Sequence, residues 1–535
     1  MARLSHVSPL PILQERPFGA ILRACHRHHC GDPTCVVLIL ILYVGAALLL
    51  ALYGVHTLVL TWIYWRRCRR RQDPAPPPLT ETPDVTVQLP IYNEAHVVQR
   101  LIEAVARLDW PRERLHIQVL DDSDDETTAL AEASVQGWRR QGVDVALLRR
   151  PTRAGYKAGA LAYGLTAATG GFIAIFDADF VPPPDFLRRT VPYFLADPQL
   201  GFIQTRWTHL NASESPLTQA QALALDGHFV VEQTARQAAG WFINFNGTAG
   251  LWRRACIEDA GGWRNDTLAE DLDLSYRAQL RGWRGRYLGD VASPAELPPQ
   301  LAAFKRQQSR WAQGSIQCLR LLAGPVWRSR RPLAARLAAL LHISGYLVHP
   351  LMLILLLTAL PLLWYGAGTP WPLAYMSLAS LGPPLLYATA QKALYPRWRW
   401  LRRYAFLPVL ALIGAGVALS NTLAVLRGLG TWGGHFRRTP KFRREGQRGG
   451  WLGQRYTLPL EGIVVGEALL SLYAWAAIAV AAARAHFWAI PFLLLYAGGF
   501  GLVTGLALWQ ARPVQAKPKE KRPRPLKTVS GRARV

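Results

Sequence analysis

The sequence predicts an α/β domain inserted between transmembrane helices, with amphipathic helices where the two meet. Three observations predict it. Apolar runs longer than the ~20 residues that cross a bilayer stand before and after a stretch of soluble composition. Within that stretch, residues 83–299, short β-branched strands alternate with helical patterns, the order of a Rossmann-like parallel sheet. The polar clusters of the stretch fall just past the predicted strands, at the carboxyl ends where nucleotides bind in open α/β sheets.

Composition sets the outer bounds. At 535 residues and 50% hydrophobic content the chain has room for a full catalytic domain and several spans. Its formal net charge of +26 would suit nucleic acid, but Arg and Lys concentrate beside the apolar runs, at 65–71 and 397–403. That placement follows the positive-inside rule and suits anionic headgroups, so the lipid bilayer is the expected partner and nucleic acid is not. Six scattered cysteines do not make a disulfide scaffold. Cys25, Cys30 and Cys35 stand among histidines, but in no spacing that matches a zinc site. Residues 1–35 are expected to be a disordered segment, without the apolar run and small-residue cleavage site of a signal peptide.

Taken in order, residues 36–65 predict the first transmembrane helix, and the five arginines from Arg66 to Arg71 place the soluble stretch on the cytoplasmic side of the inner (plasma) membrane. Pro74–Pro78 is a stiff linker. Strands are predicted at Val85–Pro90, Leu115–Leu120, Val143–Leu148 and Phe172–Phe176, and a helix carrying Val97, Leu101 and Val105 comes after the first. Residues 300–331 interleave Phe304, Trp311, Ile316 and Leu319 with Lys305, Arg306, Arg310 and Arg320, a pattern that lies on a membrane surface. Spans are expected at 340–365, 373–394, 463–482 and 489–509. Residues 405–426 are apolar enough to cross, yet both flanks are strongly basic, so an interfacial or re-entrant helix is expected there. The basic tail, 512–535, is expected to be disordered.

The chemistry centres on Asp177-Ala-Asp179, between a buried strand and the run Val181-Pro-Pro-Pro184. Two carboxylates at i and i+2 past a strand end can converge on a divalent cation whose other ligands are phosphate oxygens. Asp121 and Asp122 end another strand, where a carboxylate can reach a base or ribose, or simply cap a turn. Lys157 can reach a diphosphate, though a solvated helix lysine is the plain alternative. Glu270, Asp271 and Asp273 open a helix that Thr267 is placed to cap. Dipole compensation explains three acids there equally well, but an inverting sugar transfer needs one base, and Asp271 is the candidate. In Gln307-Gln-Ser-Arg310-Trp311, Arg310 can stabilise a departing diphosphate and Trp311 can stack on a sugar or anchor in headgroups.

In this order the clusters resemble the processive, membrane-embedded family 2 glycosyltransferases, the group of cellulose, hyaluronan and chitin synthases, over about residues 83–509. Finer wording resembles the cellulose-synthase-like mannan and glucan synthases and their bacterial relatives. It comprises Leu89-Pro-Ile-Tyr-Asn-Glu94, Tyr156-Lys-Ala-Gly-Ala-Leu161, Phe176-Asp-Ala-Asp-Phe180, Phe245-Asn-Gly-Thr-Ala-Gly250, Gly261-Gly-Trp263, Glu270-Asp271 and Glu296-Leu-Pro298. The resemblance implies a cytoplasmic GT-A domain. It implies that Tyr92, Glu94, Asp121 or Asp122 and Lys157 bind nucleotide, and that Asp177 and Asp179 hold Mg²⁺ or Mn²⁺. By the same resemblance Asp271 is the base, Glu270 lies in the substrate site, and Gln307, Arg310 and Trp311 bracket diphosphate and acceptor. Phe436-Arg-Arg-Thr-Pro-Lys441, within 427–456, looks like the family's gating loop. Ala269 departs from the Thr or Val that relatives often carry before the Glu-Asp pair.

The expected activity is inverting polymerisation of a β-linked glycan with export across the membrane. UDP-glucose is the first donor, giving a 1,4- or 1,3-β-glucan, and GDP-mannose, giving mannan or glucomannan, is the alternative. Transfer of one sugar to a lipid is a rival within the same fold. An inactive transferase fold serving as transporter or scaffold is the rival outside it.

Overall fold

The structure, a computed structural model, describes residues 33–68, 77–366, 377–434, 438–443 and 456–511. The Cys25 and Cys30 cluster, the basic tail, Phe436, Arg437 and part of the Pro74–Pro78 linker lie outside the described residues.

A seven-stranded mixed sheet organises the soluble part: β1 (Val85–Ile91), β2 (Leu115–Asp121), β3 (Val145–Leu148), β4 (Phe172–Ile175), β5 (Leu200–His209), β6 (Gly250–Arg253) and β7 (Arg284–Ala295), in the order β3-β2-β1-β4-β6-β5-β7. β1 and β4 are buried on nearly every residue, as central strands covered on both faces are. Their two-residue period sorts the core. Val85, Val87, Leu89, Ala174 and Phe176 pack with the helix Val98–Ala106 and the helix Phe186–Ala196 on one face. Ile173 and Ile175 pack with Leu161, Phe202, Trp252 and Leu274 on the other. Each Val, Leu, Ile or Phe among them, taken fully out of water, contributes about 1.5–3 kcal/mol.

Register then decides where the loops emerge. β1 pairs in parallel with β2, Ile91 opposite Asp121, and in parallel with β4, Gln88 opposite Ile175. The parallel alternation expected from the sequence misses β6, which runs antiparallel to β4 and β5, Gly250 opposite Ile175. The reversal places the residues before Gly250 at the same edge as the residues after Ile175. β5 and β7 are parallel to one another, and their far ends, His209 beside Ala295, reach that edge too.

The helix Leu301–Arg328 comes after β7 as one 28-residue rod. A Cβ at Gly314 would stand 2.8 Å from Ala269 Cβ, so this glycine lets the rod close on the loop that carries Glu270 and Asp271. Its other side is tied to the last helices. Lys305 Nζ meets Glu467 Oε1 at 2.6 Å with both groups buried, Arg306 meets Glu461 at 2.8 Å, and the Leu301 amide donates to Gln510 Oε1.

Four helices among the described residues are long and apolar enough to cross a membrane: Thr34–Cys68, Gly345–Trp364, Ile463–Ala483 and Phe487–Gln510. Between residues 373 and 394 the described part is a 3₁₀ turn, Ser377–Leu381, and a 13-residue helix, Gly382–Leu394. Gly54 and Gly382 bring that piece against the first helix, where a side chain at either would strike backbone. Residues 399–430 form two helices, Arg399–Gly416 and Ala418–Gly430, bent by 48° at Val417.

Candidate active site

One cavity at the carboxyl edge of the sheet is lined by Tyr92, Glu94, Asp122, Lys157, Asp177, Asp179, Glu270, Asp271, Gln307, Arg310 and Trp311. Of the residues singled out in the sequence, Asp121 is the exception. Asp121 is 2% exposed, and its carboxylate accepts from the Ser123 amide (2.9 Å) and the Thr128 hydroxyl (2.7 Å) and stabilises the turn after β2. Asp122, one residue on, faces the cavity and is gripped by Arg150 through two bonds of 2.7 and 2.6 Å.

Beside it, the Arg153 guanidinium lies 3.3 Å from the centre of the Tyr92 ring. Asn93 holds the left-handed turn between Tyr92 and Glu94 (φ 54°), a conformation Asn tolerates, and its side chain ties to Asp124. The β1 and β2 loops are thereby locked together.

Asp177 and Asp179 emerge from β4 and each holds an ammonium group: Lys157 Nζ stands 2.5 Å from Asp177 Oδ1, and Lys441 Nζ stands 2.7 Å from Asp179 Oδ1. Lys441 also lies 3.6 Å from Glu94, which Arg438 meets at 3.0 Å. Burial raises the proton affinity of Asp179, Lys441 opposes that rise, and the Asp177 and Glu94 carboxylates add to it. Lys441 is itself held well above its ordinary value, its own burial outweighed by Asp179 and Glu94. The sequence alone puts 438–441 in a loop and assigns those side chains no contact; only the distant chain fold brings them to Glu94.

Among the described residues no group of three or more His, Cys, Asp and Glu side chains is arranged to hold a metal. The donor chemistry still fits a divalent cation. Asp177 and Asp179 supply hard oxygens, both already draw positive charge, and phosphate oxygens would complete the set.

The antiparallel β6 delivers the opposite wall. Asn246 donates its amide N–H to Gln204 Oε1 (2.7 Å), Thr248 accepts from the Asp177 amide (2.8 Å), and Gly247 accepts from Lys157 Nζ (2.9 Å). Gly247 has φ +81°, and a Cβ there would come within 3.0 Å of Asp271 Oδ2, so both backbone and space require glycine. Asp271 lies in the first turn of the helix Glu270–Leu280, whose N-cap is Ala269; Thr267 Oγ1 accepts from the Ala269 amide at 3.3 Å. Burial and the adjacent Glu270 carboxylate push Asp271 up to about 7, against the pull of Lys157. Burial likewise raises Glu270, with Lys157 and Arg310 opposing.

A glycosyltransferase-like family 2 profile matches residues 83–314, the span that builds every wall of this cavity except Arg438, Thr439 and Lys441. The chain carries a glycosyltransferase family 2 domain. The glycosyltransferase sheet is of the mixed, GT-A-like kind. The chain is 41% identical over 284 residues to glucomannan 4-beta-mannosyltransferase 2 of Arabidopsis thaliana, covering 51% of this chain and 53% of that protein. It is 42% identical over 272 residues to glucomannan 4-beta-mannosyltransferase 1 of Oryza sativa subsp. japonica, covering 49% and 52%. It thus spans about half the length of the curated relatives it matches. Among solved structures it is similar to mannosyltransferase PcManGT from Pyrobaculum calidifontis in complex with GDP-Man and Mn²⁺, with 25% identity, a TM-score of 0.48, and coverage of 71% of this chain and 98% of that one.

Proposed function

We propose that the glycosyltransferase domain transfers mannosyl units from GDP-mannose, with inversion, to the 4-hydroxyl of a β-linked acceptor, extending a mannan or glucomannan that leaves through the adjoining membrane helices. The names of the relatives matched at 41 and 42% identity favour mannose, so GDP-mannose replaces UDP-glucose as the first donor and the β-glucan product falls behind. The observation that carries the reading is the placement of Asp271, its proton affinity raised to about 7, in one cavity with Lys157, Asp177, Asp179 and Arg310.

The roles come from position. The Tyr92 and Arg153 pair offers a flat cationic face to a nucleobase, and Asp122, steadied by Arg150, offers acceptors beside it. Asp177 and Asp179 would hold Mg²⁺ or Mn²⁺, which would neutralise charge on the diphosphate. Asp271 takes the proton of the attacking hydroxyl as that oxygen bonds to the anomeric carbon. The bond to the diphosphate oxygen breaks in the same displacement, and Lys157 and Arg310 face the charge that develops there. Trp311 gives the acceptor sugar a ring face, and Gln307 borders it.

The purified full chain, incubated with a divalent cation and either GDP-mannose or UDP-glucose, tests this. The expected result is GDP release coupled to a polymer that endo-β-1,4-mannanase degrades. A glucanase-sensitive product from UDP-glucose would overturn the donor, and a single mannosylated lipid would overturn polymerisation.

A further inference from the structure

The β5 end of the cavity carries polar groups that the transfer chemistry leaves unused. Trp207 and His209 sit two residues apart at the end of β5, so both face the cavity. Trp207 packs edge to face on Phe180 (5.2 Å between centroids) and tilted on Phe229 (5.1 Å), yet its buried Nε1–H has no hydrogen-bond partner among the described residues. Neither ring nitrogen of His209 has one there either. The His209 side chain is 6% exposed, and its Nε2 stands 3.4 Å from Oδ1 of Asp226, itself 8% exposed, without the alignment of a hydrogen bond. Gln391 donates to the other oxygen of Asp226 at 2.8 Å, and its own Oε1 is buried and unpartnered among the described residues.

Buried polar groups are nearly always satisfied, and several unsatisfied ones along a single cavity wall mark a place where the polar atoms of a ligand complete them. The wall also says what kind of ligand. Asp226 disfavours a phosphate. An acceptor carboxylate beside Nε2 selects the tautomer with its proton there, which leaves Nδ1 as an acceptor, while Trp207 Nε1–H is a donor. A donor and an acceptor next to an aromatic surface match a hydroxyl on a sugar ring, which both gives and receives a hydrogen bond.

We propose that Trp207 and His209 form a subsite that binds a sugar unit of the acceptor through its hydroxyls, with Asp226 and Gln391 as positioning residues that set the imidazole. The proposal rests on reading the cavity as a glycosyl-transfer site.

Titration of β-1,4-linked mannotetraose into the full chain in detergent, with GDP titrated separately, tests the subsite apart from catalysis. His209→Phe is expected to weaken tetraose binding about tenfold while GDP affinity stays within about twofold. His209→Gln, which keeps polar atoms, should recover part of the loss. Asp226→Asn should raise the acceptor KM with kcat little changed. The proposal is overturned if the unaltered chain does not bind the tetraose, if His209→Phe binds it as well as the unaltered chain, or if GDP and tetraose affinity fall together. If the tetraose binds through His209 while GDP-mannose is not turned over, the subsite stands and the donor assignment falls.

Discussion

The two ends of the cavity are built on opposite principles. At the end proposed for the donor the charges are paired before any ligand arrives: Arg150 on Asp122, Lys157 on Asp177, Lys441 on Asp179, Arg438 on Glu94. At the β5 end the Trp207 ring is partly buried and the His209 side chain buried, and Trp207 Nε1 and both His209 ring nitrogens lack hydrogen-bond partners among the described residues. The difference comes from what each end can tolerate. Carboxylates taken from water are too costly to stand alone, so cations from distant parts of the chain fill in where a metal and a diphosphate would sit. A neutral donor or acceptor costs far less to leave open, and leaving it open keeps a place for a hydroxyl.

The most damaging test of this contrast removes the group that joins the two ends. Asp271→Asn keeps size and burial but cannot accept a proton, and transfer is expected to fall about 10³-fold or more with GDP affinity nearly unchanged. Kinetics paired with GDP titration check it, and a parallel loss of GDP binding would make Asp271 a part of the donor end instead. Next in size, Asp179→Asn should cost about 10²-fold in rate and weaken Mn²⁺ binding, read by electron paramagnetic resonance of the free ion. Chelation should abolish transfer by the unaltered chain, and re-added Mn²⁺ should restore it. Unchanged Mn²⁺ affinity in the variant would leave Lys441 as the only cation that Asp179 serves.

A smaller and graded effect comes from pH. Asp271 titrates at about 7 in the folded chain, well above an ordinary carboxylate. In the proposed role of base it acts only when ionised, so kcat should climb as pH rises toward 7 and fall about tenfold per unit below it. Stability should move the other way. The folded state binds this proton more tightly than the unfolded state, so the contribution is complete below about pH 4 and is lost as pH rises through about 7. A pH–rate profile beside thermal melts at the same pH values would show the two opposing trends. Parallel trends would mean that another group controls the acid limb.

Much of the donor end was legible in the sequence because its residues are local. Asp177 and Asp179 come directly after an apolar run, and Glu270 and Asp271 open a helix, so strand ends and helix starts place them without tertiary information. The wall opposite was harder. Phe245–Gly250 stands out as a motif, but its arrival at the cavity depends on β6 running antiparallel, which no local pattern encodes. Trp207 and His209 read as one polar-apolar alternation among many, and Arg438 and Lys441 reach Glu94 over more than 340 residues. The one available hint for the β5 end was a Trp-x-His pair closing a long strand just before an Asn and a Ser-capped helix.

Adjacent residues give the finest test, because Asp121 and Asp122 differ by one position and, in the sequence, by nothing else. Strand alternation sends them to opposite sides: Asp121 inward to Ser123 and Thr128, Asp122 to the cavity under Arg150. Asp121→Asn should therefore lower stability by about 1–3 kcal/mol, since a buried acceptor for two donors is impaired, and leave the donor KM within about twofold. Asp122→Asn should do the reverse, with a donor KM raised about fivefold to tenfold and a melting point nearly unchanged, because Arg150 keeps its bonds to Ala154 O and Tyr156 O. Thermal melts and donor saturation curves on the two variants separate the roles. If the melting point and the donor KM moved together in both, the β2 turn would be a single element serving the donor, and Asp121 would belong to the site after all.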